Sequence, residues 1–131
     1  MQEIKYIESA ALHDEMARLR NERKMDFLES LTGMDWGEPA ENDAPDTVRG
    51  LGVVYHLEST TTGERIAVKT STLNRENPEI PSVCDLWKAA ELNEREVYDY
   101  YGIVFVGHPD MRRLFLRNDW VGYPLRKDND P

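Results

Sequence analysis

Glu94, Arg95 and Glu96 stand together in the chain, Asp99 follows at helical spacing, and His108 and Asp110 come after a glycine at position 102. Carboxylates three residues apart share one face of a helix, so Glu96 and Asp99 could share a cation, with His108 as ligand or proton carrier. The cluster is poorly stocked for that chemistry. A zinc site wants more imidazole or thiolate, a hard-metal site wants several converging oxygens, and Arg95 sits among the acids. The structural reading is stronger. Glu94 and Glu96 are then first-turn acids at a helix N-terminus, Arg95 pairs with Asp99 four residues on, and His108 braces the turn before Pro109. Cys84 is the single cysteine. That excludes an intrachain disulfide and a cysteine-based zinc cluster, and nothing beside it in the chain activates it as a nucleophile. Neither a Gly-rich phosphate loop nor a serine elbow is present.

Arg112, Arg113, Arg117, Arg126 and Lys127 form a second concentration, interleaved with Phe115, Trp120 and Tyr123. Arginine with aromatics suits nucleic acid, internal pairing with Asp110, Asp119 and Asp128, or a protein-docking surface. The whole chain decides among them. With 25 acids against 16 bases it carries a formal charge of −9, the wrong sign for a protein that neutralises phosphates. Residues 1–58 hold 13 acids and 6 bases, whereas residues 102–131 hold 4 acids and 5 bases. The C-terminal stretch is therefore where an acidic partner can approach, and protein docking ranks first.

The chain has 131 residues, 40% hydrophobic and 31% charged, which fits one domain with a core of its own. The longest apolar run, Ile103 to Val106, is far short of the ~20 residues that span a bilayer, and Met1 to Lys5 lacks a basic-then-apolar signal. A cytosolic setting without direct membrane insertion is the expectation. Leu12, Met16 and Leu19 predict a helix over 8–24, and Phe27 to Trp36 reads as a strand. Gly37 to Asp46, with two prolines and four acids without a base, predicts an exposed acidic loop near 37–48. Strict alternation predicts strands over 51–58 and 65–73, joined by Thr60-Thr61-Thr62-Gly63. Beyond the breaker Asn77 to Pro81, Ser82 with Asp85 opens one short helix that buries Leu86, Trp87 and Ala90. Asn93 with Glu96 opens a second, Glu94–Tyr101, which Gly102 stops. Short strands follow at 103–105 and 113–116, around the turn Gly107-His108-Pro109-Asp110. The expected fold is α+β and two-layered: a small, mainly antiparallel sheet, an N-terminal helix and two short helices. Residues 1–117 make the domain and 118–131 an extended docking tail.

The stretch from Glu94 to Leu114 reads Glu-Arg-Glu, two residues, an aspartate, then Gly102-Ile103-Val104-Phe105-Val106-Gly107-His108-Pro109-Asp110-Met111-Arg112-Arg113. The end reads Asp119-Trp120-Val121-Gly122-Tyr123-Pro124-Leu125-Arg126-Lys127-Asp128. Together these closely resemble the signature of the C-type hydrophilic ("30-kDa") subunit of respiratory complex I, the proton-pumping NADH:quinone oxidoreductase. There are departures: Ala90-Glu91-Leu92 stands where the family commonly has Ala-Asn-Trp, and Met111 where leucine is usual.

The resemblance implies a subunit that holds no cofactor, with flavin, iron–sulfur clusters and quinone carried by its partners. It implies a place on the peripheral arm at the cytoplasmic face of a bacterial inner membrane. Partners would be the quinone-site subunit and neighbouring iron–sulfur subunits, with no nucleic acid, and the task would be assembly and positioning. Glu94, Arg95, Glu96, Asp99, Gly102, Gly107, His108, Pro109, Asp110, Arg112 and Arg113 match the first motif. Trp120, Pro124, Leu125, Arg126, Lys127 and Asp128 match the second. The acids and arginines of the first are expected to form a charge-paired network. The tail is expected to lie on a partner, so that removing Tyr123 to Pro131 costs association but not domain stability. The short chain suggests a reduced member, without terminal extensions or fusion to the quinone-site subunit. Similar subunits serve membrane-bound hydrogenases and ferredoxin-linked quinone reductases, so the electron donor stays open. A free-standing metal-dependent enzyme using Glu96, Asp99 and His108 is the remaining alternative.

Overall fold

The computed structural model describes residues 3–116 and 120–128. The chain runs through β1 (Glu3–Tyr6), α1 (Ser9–Glu22), β2 (Phe27–Asp35), β3 (Leu51–Glu58), β4 (Arg65–Thr72), β5 (Glu79–Pro81), α2 (Ala90–Tyr101) and β6 (Val104–Val106). Four strands make one sheet in the order β1-β4-β3-β2, and β5 and β6 make a parallel pair. β2, β3 and β4 are joined antiparallel, and β1 adds parallel to β4. The architecture is α+β, as the pattern of elements indicates.

The alternation in the sequence becomes the two faces of this sheet. Leu51, Val53, Tyr55 and Leu57 of β3 are buried, level with Ile66, Val68 and Thr70 of β4. Helix α1 sets Leu12, Met16 and Leu19 against this layer, and α2 adds Ala90 and Val97. Ile80, Ile103 and Phe105, from the short strand pair and its approach, complete the core. Trp87 is locked by its indole N–H, which donates to the Met25 carbonyl at 3.0 Å. Gly33 lets α2 pack close to β2: a Cβ there would stand 2.5 Å from the Tyr101 ring.

Several elements differ from expectation. β1 is a strand that the sequence does not announce, and α1 ends at Glu22, short of residue 24. The two short helices are one: residues 84–89 form turns, and α2 begins at Ala90, a full turn before the Asn93–Glu96 signal. Residues 79–81 of the expected breaker form β5. The strand expected at 113–116 does not form: residues 114–116 are bends, and their backbone N–H groups serve a side chain instead of a ladder. The expected end of α2 is correct: Gly102 takes the left-handed conformation, φ 77°, and its N–H caps the Tyr98 carbonyl. The 37–48 loop is exposed but tied down. Arg49 bridges Asp43 and the Trp36 carbonyl, and Asp43 also accepts the Ala40 N–H.

Candidate functional site

Helix α2 carries the first motif, and most of its charges point inward. Glu94 is fully buried; it accepts the Ser82 hydroxyl at 2.6 Å and the Val83 N–H at 2.9 Å, fixing the turn after β5. It is mid-helix, not the exposed first-turn acid that its sequence neighbours suggest. Burial pushes its carboxyl up to about 7; the two hydrogen bonds oppose that rise and the Asp85 charge adds to it. Tyr55 lies on the facing strand. Burial, with the Glu94 charge, holds its phenol well above the ordinary range, and its hydroxyl has no hydrogen-bond partner among the described residues.

Asp99 is fully buried as well. One carboxylate oxygen accepts the N–H groups of Leu114, Phe115 and Leu116 at 3.0, 2.6 and 3.1 Å, while the other faces Arg113 at 3.4 Å. Burial alone would raise this carboxyl, but the three N–H groups and the guanidinium outweigh it and hold it below the usual range. Its partner is Arg113, not Arg95. Arg95 instead donates to the Arg112 and Arg113 carbonyls. Arg113 donates further to the carbonyls of Asp99, Trp120 and Gly122, and stands 4.7 Å over the Tyr123 ring.

The imidazole of His108 meets the Glu91 carbonyl through Nε2 at 2.8 Å, and its Nδ1 accepts the Asp110 N–H at 2.9 Å. That pattern makes Nε2 the protonated nitrogen. Glu96 is exposed, and Asp110 pairs with exposed Arg112. Glu96, Asp99 and His108 therefore do not converge. Among the described residues no group of three or more His, Cys, Asp or Glu is placed to hold a metal. The basic set is likewise dispersed into separate duties: Arg113 and Arg126 are consumed by carbonyls and carboxylates, whereas Lys127 is exposed. Arg117 and Asp119, and the expected boundary at 117/118, lie outside the described residues.

The second motif lies back along its own domain. The Leu125 N–H donates to the Tyr100 carbonyl at 3.0 Å, and the Lys127 N–H to Asp35 at 2.7 Å. Arg126 and Asp128 pair with each other, and Asp128 reaches Arg75, whose guanidinium holds Asp35 bidentately at 3.0 and 2.6 Å. Asp35 is the hub of this latch. Burial raises its carboxyl, but Arg75 and the N–H groups of Lys127 and Gly37 together bring it below the usual range. The Tyr123 ring packs on Gly102, where a Cβ would stand 2.7 Å from it. Sequence reasoning missed both Asp35 and Arg75. Residues 120–128 run through bends and turns rather than as an extended strand. These bonds tie the tail to its own domain. Removing Tyr123 to Pro131 should cost about 2–3 kcal/mol through the lost hydrogen bonds and packing. For a domain of this size that means melting on the order of 10 °C lower in thermal denaturation.

Four large apolar side chains between residues 115 and 125 remain exposed. Phe115 and Leu125, both beside Tyr100, are 64% and 54% exposed, Val121 92% and Trp120 48%. No helix among the described residues is long and apolar enough to cross a membrane.

Comparisons with known proteins give the chain a family. Along its full length the chain is 80% identical to a Bacteroides fragilis protein described as the C/D subunit of NADH-quinone oxidoreductase. It spans about a quarter of that relative's length, which removes the basis for expecting a reduced, unfused member. Its fold superposes on a trypsin-resistant fragment of Nqo5 with a TM-score of 0.66 and 35% identity, covering 80% of this chain and 79% of that one. A second match is to a chain in an archaeal respiratory membrane complex, the membrane-bound sulfane sulfur reductase. There the TM-score is 0.77 at 26% identity, covering 99% of this chain and 74% of the other. Residues 5–131 match the family described as "Respiratory-chain NADH dehydrogenase, 30 Kd subunit", and the chain belongs to that family.

Proposed function

We propose that this chain is a positioning and assembly element of the peripheral arm of an NADH:quinone oxidoreductase, at the cytoplasmic face of the membrane. It braces the quinone-site subunit and neighbouring iron–sulfur subunits and performs no chemistry itself. Flavin, clusters and quinone belong to those partners in this reading. The observation that carries it is the contrast between the first motif's inward-turned charges and the exposed apolar side chains between residues 115 and 125. Glu94, Arg95, Asp99 and Arg113 are spent on internal bonds, so they shape a surface rather than act on a substrate. Phe115 and Trp120 are exposed aromatics of the kind enriched in interface cores, and Val121 and Leu125 are exposed with them. Lys127 and Arg112 are exposed as well, Arg112 in an ion pair with Asp110.

Affinity purification of the chain from native membranes tests this reading. Phe115→Glu with Leu125→Glu should reduce recovery of the quinone-site subunit at least tenfold, since each change buries an unpaired charge in the contact. Because both side chains are exposed, the melting point of the variant should stay near that of the parent. Undiminished recovery would refute the reading. A second one, the equivalent subunit of a respiratory complex with another electron donor, is supported by the likeness to the archaeal sulfane sulfur reductase chain. The same purification separates them: NADH-oxidising subunits accompany the chain in the first case and not in the second.

A further inference from the structure

A groove of about 450 Å³ lies between the 37–49 loop and the strands β1 and β4. Tyr6 and Ser71, hydrogen-bonded to each other at 3.1 Å, line it from the strands; Pro39, Pro45 and Val48 line it from the loop, and Leu73 is a further lining residue. The loop wall is preformed, since Arg49 fixes Asp43 and the Trp36 carbonyl. β1, which contributes Tyr6 to the groove, is also the end strand of the sheet. The Ile7 N–H donates to the Lys69 carbonyl, and the parallel register sets Lys5 opposite Val68. Alternation along β1 therefore turns the backbone groups of Ile4 and Tyr6 away from β4, toward a side where no described strand pairs. Their side chains are 65% and 50% exposed. The loop carries Glu38, Glu41, Asp43 and Asp46 without a base between residues 37 and 46. Asp43 is neutralised by Arg49 and Glu38 reaches Arg75, whereas Asp46, which lines the groove, and Glu41, next to the lining residue Ala40 in the chain, are exposed without an ion pair among the described residues.

We propose that this groove receives an extended, lysine- or arginine-bearing segment of another polypeptide. The segment adds to the outer edge of β1 and seats an apolar side chain between Tyr6, Leu73 and Pro45, while its cations face Glu41 and Asp46. Strand addition supplies main-chain hydrogen bonds, the groove selects alternate side chains, and the acidic rim sets the charge of the partner. A nucleic acid is repelled by that rim. A second copy of this chain is disfavoured because its arginines at 113 and 126 are engaged internally and each copy carries a charge of −9.

The test is photocrosslinking in the native complex, with p-benzoylphenylalanine placed at position 6 and, separately, at position 115. The expected result is a crosslink from position 6 to a partner peptide rich in lysine or arginine around the linked residue. Glu41→Gln with Asp46→Asn should lower its yield about fivefold, the effect of two partly screened charges. Linkage to an acidic or uncharged segment, linkage to another copy of this chain, or a yield indifferent to the charge variant overturns the proposal. So does a crosslink at 115 with none at 6, which leaves the docking role of the α2 face standing. A crosslink at 6 alone overturns that docking role and supports the groove, and silence at both positions overturns both.

Discussion

Glu94→Gln should flatten the pH dependence of stability between pH 5 and pH 8. The wild-type carboxyl has an ordinary value of 4.5 and is pushed up to about 7 in the fold. In that interval the folded chain holds a proton that the unfolded chain has released. A raised carboxyl therefore contributes stability fully below about 4.5, and loses it as pH rises through about 7. The shift corresponds to roughly 3 kcal/mol, because each unit is worth about 1.4 kcal/mol. Glutamine stays neutral throughout. Its carbonyl oxygen can take the Val83 N–H, and its amide can donate to the Ser82 hydroxyl. Urea unfolding at pH 5 and pH 8 should show the variant gaining roughly 3 kcal/mol on the wild type across the interval. The difference between the two proteins cancels the other titrating groups. Parallel lines would show that Glu94 is not the buried acid described above. Glu94→Ala is different: it strands the Ser82 hydroxyl and the Val83 N–H and opens a cavity, and should cost about 2–4 kcal/mol at either pH.

The second large effect belongs to Asp99→Asn. An amide cannot accept three backbone N–H groups on one oxygen and also face a guanidinium with the other position, since one of its two ends is a donor. Arg113, whose side chain is 9% exposed, then keeps a buried charge without its counterion. Breaking such a pair from one side typically costs about 3–5 kcal/mol. Denaturant unfolding at pH 7 measures the loss, and amide exchange at Leu114, Phe115 and Leu116 localises it. Those three amides should lose protection before the β3–β4 hairpin does; uniform loss would contradict the assignment. The wild-type carboxyl is depressed, so its contribution is present above the ordinary aspartate value and fades as pH falls through the folded one. The variant should be insensitive to that acid limb.

The hairpin β3–β4 is legible because its signal is local: eight residues alternate, turn and alternate again. The helix stop at Gly102 is legible for the same reason. β1 is not, because Glu3-Ile4-Lys5-Tyr6 has little pattern and its pairing is with residues sixty positions away. β5 follows Pro78 and ends on Pro81, prolines that mark a breaker in sequence yet fit a three-residue strand paired with β6. The start of α2 is misread since Asn93 and Glu96 look like a cap, whereas the true start at Ala90 grows out of turns and has no side-chain cap. The motif residues are findable as a group, but their direction is not. A glutamate in a helix reads as solvated, and nothing near Glu94 in the chain says that Ser82 and Val83 will close over it. Asp35 and Arg75 lie forty residues apart and gain their importance only when the tail returns to them.

That return has a thermodynamic side. Because Asp35, Arg75 and Tyr100 hold residues 125–128, and Asp99 holds the backbone at Phe115, little chain freedom remains to be surrendered in the proposed association. The partner proposed above would meet a prearranged template. Loosening the latch far from the contact, by Asp35→Asn for instance, would then weaken binding through entropy alone, with every touching side chain intact.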